Sequence, residues 1–166
     1  MTVDTSRPFT VVTQFPADEE GNLVEIRRLY VQDGKVIKNA KVEKEGLPAI
    51  DSMTDELCEA QNAEAFANLG ALKGMGDAMT RGMVLCMSVW WDDGGYMEWL
   101  DSGEAGPCKE GEGKPDNILE VEADPDVTFS NIKWGEIGST FEGEEGGEGG
   151  KCKAKKHKKT KKTRKH

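Results

Sequence analysis

The 166-residue chain has room for one domain with a core of modest size. All 31 acidic residues lie before position 150, whereas ten of the 22 Lys and Arg residues fall in the last sixteen positions. An acidic body argues against nucleic acid as a partner of the folded part, and no apolar stretch is long enough to span a bilayer, so we expect no membrane partner.

The first third of the chain predicts a hairpin. Residues 10–15 read as a buried strand, and residues 23–32 are rich in β-branched and aromatic side chains. Asp33-Gly34 follows and precedes a further strand-like run at 35–38. Because glycine accepts the positive φ of a tight turn, this pair predicts the turn of a hairpin.

Residues 55–80 carry apolar side chains at helical spacing. Ser52 with Asp55 fits a capping box at the start of that helix. Gly70, Gly74 and Gly76 weaken the pattern, so we expect one short helix followed by a looser segment.

Strand signals dominate the rest of the body. Residues 83–91 read as a strand buried on both faces, Gly94-Gly95 as a turn, and 96–100 as a returning strand that brings Trp99 near Trp90. Residues 102–117 read as a loop and 127–134 as the last strand. This order of elements predicts an all-β sandwich.

Tryptophans beside carboxylates and Gly-Gly at 90–101 allow two interpretations. One is sandwich core with a turn, and the other is a platform on which a flat, hydroxyl-rich ring stacks. Asp92 and Asp93 are adjacent, so on a strand they would point to opposite faces and suit turn or rim roles better than acid and nucleophile.

The four cysteines match no metal pattern, and the only histidines lie in the tail, so we expect no metal site. Cys86 lies in an apolar run and is predicted to be a buried thiol. Cys58 and Cys108 lie in loop-like contexts where disulfides form in secreted proteins.

Residues 142–166 change character, with only Gly and Glu to position 150 and mostly Lys beyond it. Such a composition cannot bury enough apolar surface to offset the cost of ordering, so a disordered tail is predicted. An arm that binds anionic polymers or directs nuclear targeting is the alternative.

Three phrases in order, MVL-x-MS, W-L-D-S and FSNI-[KR]-[WF]-G-x-IGST, resemble the C-terminal part of fungal family 7 glycoside hydrolases, and the loop at 102–108 resembles their endoglucanase I branch. Segments TVVTQF and RLYVQDG resemble earlier strands of the same domain. The resemblance covers residues 8–141. It implies a secreted enzyme with a partial β-jelly-roll (concanavalin-like) sandwich that cuts β-1,4-glucan, such as cellulose, with retention of configuration and without a cofactor.

The family's catalytic motif, Glu-x-Asp-x-x-Glu, is absent from this sequence, since only Glu122 and Asp124 fit its first half and Val127 occupies the third position. In the family the motif lies upstream of TVVTQF. We therefore expect residues 1–141 to be a C-terminal portion of the catalytic domain that is inactive alone, followed by the tail at 142–166. A signal peptide is not visible. The alternative is a non-catalytic glucan-binding protein.

The resemblance also assigns individual residues. Trp90 and Trp99 match tryptophans that stack on sugar, with core packing as the alternative for each. Cys58 and Cys108 match half-cystines whose partners lie upstream, outside this sequence. Trp91, facing away from Trp90, and Trp134 near the end of the domain are expected to pack; these further side chains carry no assigned role in substrate binding.

Overall fold

The computed structural model describes residues 3–43, 45–103 and 106–145. The elements in chain order are β1 Thr10–Gln14, β2 Ile26–Gln32, β3 Lys35–Lys38, β4 Ser52–Met53, α1 Asp55–Ala60, α2 Glu64–Asn68, α3 Ala71–Thr80, α4 Glu98–Asp101, α5 Pro115–Val121 and β5 Glu144–Glu145. The chain divides into two units. The first runs to Asp77 and resumes at Glu136, and the second is Ala78–Gly135.

The sheet of the first unit is built around β2. Strands β1 and β3 pair with β2 in antiparallel fashion on its opposite edges. Strand β4 also pairs with β2 in antiparallel fashion, on the same edge as β3, and β5 pairs in parallel with β3. Asp33 and Gly34 both have positive φ, at 52° and 72°, as a two-residue hairpin turn requires. The hairpin predicted from the sequence is therefore confirmed.

One face of the sheet carries the core. Val12, Val31 and Val36 are buried together, and Leu29 and Phe141 pack against them. Alternation along the strands puts these side chains on one side of the sheet, and removing apolar surface from water stabilises the arrangement. All of the buried apolar side chains found in the described residues belong to the first unit: Val12, Leu23, Val31, Val36, Ile37 and Leu72.

The helical region between 55 and 80 holds three short helices instead of the single one expected. Thr54 caps α1, its hydroxyl accepting the Leu57 N–H at 3.3 Å, so the predicted capping role of Ser52, which lies in β4, was wrong. Asn62 and Gly70 have φ of 57° and 98°, which ends each of the first two helices.

Glycine in α3 has a packing role that periodicity alone does not reveal. A Cβ added to Gly76 would lie 2.7 Å from the Cβ of Leu23, so only glycine allows this approach of the helix to a buried leucine. Leu72, on the same helix, is fully buried, and its N–H donates to Asp55 Oδ1 at 3.0 Å. These contacts hold α3 despite its low helix propensity.

In the second unit, the strands predicted at 83–91 and 127–134 are wrong. Both segments lack regular secondary structure, and their side chains are exposed, with Val84 at 86% and Trp134 at 84%. A strand forms only when its N–H and C=O groups meet a neighbour, and the described chain supplies none to either segment. The packing predicted for Trp134 is wrong for the same reason.

Three smaller predictions also fail in this unit. Cys86 is exposed and not a buried thiol. Residues 96–100 do not return as a strand, because Tyr96 and Met97 adopt left-handed φ values of 55° and 62° that lead into α4. Helix α5 begins with Pro115 in its first turn, inside the segment predicted as loop.

The segment predicted to be a disordered tail is described only through Glu145. Its first residues reach the sheet, since the Glu144 N–H donates to the Gly34 carbonyl at 2.9 Å and β5 pairs with β3. Residues 146–166 lie outside the described residues, so the prediction for the basic part stays a prediction. None of the helices in the described ranges is long and apolar enough to cross a membrane.

Truncation of Leu72 should destabilise the first unit. Leu72→Ala removes the largest fully buried side chain and leaves a cavity, so we expect a loss of about 2–5 kcal/mol in the free energy of unfolding, measured by urea titration. Leu69→Ala is the matched control, because Leu69 is 83% exposed and its truncation should cost less than about 0.5 kcal/mol. Equal losses for the two variants would contradict this core.

Candidate functional site

Two exposed indole rings form the candidate site. Trp90 and Trp99 stack with ring centroids 6.4 Å apart and planes at 25°, while 60% and 63% of their surfaces stay in contact with solvent. The predicted approach of Trp99 to Trp90 is confirmed, although Trp99 arrives on α4 and not on a returning strand. Trp91 remains 41% exposed, so the packing predicted for it is incomplete.

The loop between the two tryptophans is organised by Asp92. Its Oδ1 accepts the N–H groups of Gly94 and Gly95 at 3.0 and 2.9 Å, and its carbonyl accepts the Tyr96 N–H at 3.0 Å. A Cβ on Gly95 would lie 2.6 Å from Asp92 Oδ2, so any other residue at this position would displace the carboxylate. The turn role predicted for Asp92 is confirmed.

These hydrogen bonds stabilise the ionised carboxylate. The N–H groups of Gly95 and Gly94 contribute most to lowering the pKa of Asp92, and hydrogen bonds from the Met97 amide and the Trp99 side chain lower it further. Asp93, in contrast, is exposed, and within the described ranges its carboxylate accepts no hydrogen bond. The two adjacent acids therefore differ sharply in their surroundings.

A second loop is attached to α4 through Glu98. Its Oε1 accepts the Gly111 N–H at 2.7 Å, and Asn117 Nδ2 donates to the Gly111 carbonyl at 2.7 Å. Lys114 Nζ lies 5.2 Å from the centre of the Tyr96 ring, within cation–π range. An open cleft of about 310 Å³ lies between these groups.

Sequence reasoning assigned no role to Glu98 or Lys114. Their partners, Gly111 and Tyr96, lie 13 and 18 positions away along the chain, and no motif links either pair. The single signal was the density of Gly and charged residues in both loops, which indicates turns but not which turns meet.

Glu122 and Asp124, the one pair that fits half of the catalytic motif, are not arranged as a catalytic carboxylate pair in the described structure. Glu122 follows the last residue of α5 as its C-cap, and the Asp124 N–H donates to Glu122 Oε1 at 3.5 Å, so these residues do not lie on a strand facing a cleft. Among the described residues, no cluster of His, Cys, Asp and Glu has the arrangement of a metal site.

The cysteines are free where the structure describes them. Burial, and then the charge of Asp55, raise the pKa of the Cys58 thiol. Desolvation, and then the charges of Asp101 and Glu112, raise the pKa of the Cys108 thiol. Both thiols are therefore poor nucleophiles at neutral pH. Their predicted role as half-cystines stays a prediction.

Comparison with known proteins gives concordant matches. The model of Glycosyl hydrolase family 7 matches residues 1–141. Endoglucanase 1 of Humicola insolens is 59% identical over 140 residues, which are 84% of this chain and 35% of that protein. A double mutant of the Humicola insolens endocellulase EGI matches with a TM-score of 0.79 and 58% identity, over 85% of this chain and 35% of the other.

A structure of endoglucanase I complexed with cellobiose matches with a TM-score of 0.77 and 54% identity, over 84% of this chain and 35% of the other. The chain thus spans about a third of the length of these relatives. The predicted all-β class, a partial β-jelly-roll, is confirmed, since the solved family 7 structures have that fold. On the match over residues 1–141, the chain belongs to glycosyl hydrolase family 7.

Proposed function

We propose that this chain supplies the glucan-binding part of an endo-1,4-β-glucanase that breaks down cellulose. The observation that supports it most directly is the exposed stack of Trp90 and Trp99. Pyranose rings present apolar C–H faces and a hydroxyl rim, so they stack on indole while their hydroxyls stay solvated. Membership of family 7 and the cellobiose bound to a relative add chemical support.

The separation of glucan binding from bond cleavage follows from the chemistry of hydrolysis with retention of configuration. A retaining glycosidase needs two carboxylates about 5–5.5 Å apart, one to attack the anomeric carbon and one to protonate the leaving oxygen. The motif that carries them in this family does not occur in the sequence. In this proposal Trp90 and Trp99 bind and orient the glucan, and the acids belong to the upstream part of a family 7 domain.

A non-catalytic glucan-binding protein is the second candidate. The tryptophan pair supports it equally, because stacking on a sugar ring needs no carboxylate pair. Both candidates imply contact with extracellular cellulose and hence secretion. The domain division at 141/142 belongs to the same proposal, whereas binding of anionic polymers by residues 151–166 concerns a segment outside the described residues.

Loss of either ring should weaken glucan binding. Trp90→Ala and Trp99→Ala each remove one stacking surface, which is worth about 0.5–1.5 kcal/mol beyond the lost contact area and corresponds to about threefold to tenfold weaker binding of cellohexaose. Isothermal titration calorimetry measures the effect. Trp134→Ala is the control, because Trp134 is 84% exposed and has no ring partner among the described residues. Equal affinities in all three variants would contradict the proposed site.

Hydrolysis should depend on the upstream part of the domain. We expect the purified chain to release no reducing sugar from amorphous cellulose. A chimera in which residues 1–141 replace the matching 35% of Humicola insolens endoglucanase 1 should hydrolyse it. A folded, glucan-binding but inactive chimera would favour the non-catalytic candidate. Hydrolysis by the chain alone would refute the separation of glucan binding from bond cleavage.

A further inference from the structure

The loop from Asp92 to Glu98 determines where the Trp99 ring lies. Helix α4 has only four residues, and its N-cap residue Met97 provides no side-chain hydrogen bond, so the helix does not fix its own start. The hydrogen bonds from Gly94 and Gly95 to Asp92 Oδ1 are the contacts that close the loop ahead of it. The Asp92 carboxylate therefore supplies the side-chain contacts that support the backbone hydrogen bonds of the loop.

We propose that Asp92 is a positioning residue that holds the indole of Trp99 stacked against that of Trp90, with the two planes at 25°, and thereby sets the affinity of the tryptophan pair for β-1,4-glucan. The second half of this inference rests on the proposed function. Asp92 does not contact the glucan in this account. It acts through the loop and the Trp99 side chain.

The path from the carboxylate to the ring is continuous. Oδ1 holds the two glycine amides, and the Asp92 carbonyl accepts the Tyr96 N–H, which bends the chain back on itself. The left-handed conformations of Tyr96 and Met97 follow, and the Glu98 N–H closes the turn on the Gly95 carbonyl at 3.0 Å. Two non-glycine residues in succession with positive φ are costly, so this geometry needs support from its surroundings.

A lowered pKa and a further contact support the assignment. The Gly95 and Gly94 amides contribute most to lowering the pKa of Asp92, and the Trp99 side chain contributes less, as expected for a carboxylate that accepts the amides of its own loop. Immediately before Trp99 in the chain, Glu98 accepts the Gly111 N–H at 2.7 Å and anchors α4 to the second loop. Hydrogen bonds to a charged acceptor are the stronger kind, so both carboxylates stabilise the loop conformation.

Adjacent Asp93 provides a matched comparison. It has the same charge and the same position in the chain within one residue, but it is exposed and accepts no hydrogen bond in the described part of the chain. A purely electrostatic contribution to glucan binding would be shared by both acids. A positioning role belongs to Asp92 alone.

The test uses the whole chain and two independent readouts. The exciton couplet of stacked indoles in circular dichroism reports the ring geometry without sugar, and fluorescence titration with cellohexaose reports affinity. We expect Asp92→Ala to lose most of the couplet and to bind cellohexaose about threefold to tenfold more weakly. Asp92→Asn, whose amide oxygen accepts the same two N–H groups, should keep both, and Asp93→Ala should match the wild type.

Gly95→Ala gives a second perturbation in which Asp92 itself is not substituted. Its Cβ would lie 2.6 Å from Asp92 Oδ2, so the carboxylate must move, and we expect the same losses as in Asp92→Ala. Neither residue belongs to the buried core, so the sheet of the first unit should stay folded in both variants. Unfolding of that sheet in both would itself overturn the assignment of a local positioning role.

The outcomes separate this inference from the function on which it rests. A wild-type couplet that survives in Asp92→Ala and Gly95→Ala would overturn the inference, as would a wild-type chain with no couplet. Loss of the couplet in both variants supports the positioning role. If the wild type then shows no affinity for cellohexaose, the proposed function fails, and so does the claim that Asp92 sets the affinity for glucan. The claim that Asp92 positions the Trp99 ring stands.

Discussion

Backbone hydrogen bonding between strands decides which parts of this chain form regular structure. β2 has neighbours on both edges, and its pairing with β1 and β3 brings Val12, Val31 and Val36 into one buried cluster. Residues 83–91 and 127–134 have comparable strand composition but no neighbour in the described chain, and they remain irregular and exposed. Strand-forming side chains are thus insufficient where the ladder of N–H and C=O partners is missing.

The tryptophan pair is formed by a different kind of contact. Trp90 lies in one of these irregular segments and Trp99 on α4, and the hydrogen bonds that the Asp92 and Glu98 carboxylates accept hold the loops on either side. In the second unit, where the described residues include no buried apolar side chain, such local contacts carry the geometry. The tryptophan pair therefore does not depend on buried apolar side chains in the described part of this unit, and it is the physical basis of the function proposed for this family 7 chain.

Local signals explain what the sequence could predict. The hairpin at Asp33-Gly34 depends on two residues and their φ values, so it was predictable, and the approach of Trp99 to Trp90 required only a turn between them. The prediction for residues 83–91 failed because burial on both faces needs a neighbour that composition cannot supply. The exposure of Cys86 and the meeting of Glu98 with Gly111 likewise depend on contacts distant in sequence.

Amide hydrogen exchange of the whole chain tests the central claim most directly, since it measures which backbone N–H groups have partners. We expect slow exchange in β2, most of all at Leu29 and Val31, and exchange close to the unstructured rate throughout 83–91 and 127–134. Protection of residues 83–91 equal to that of β2 would contradict the account, because it would mean that the segment holding Trp90 is paired in a sheet.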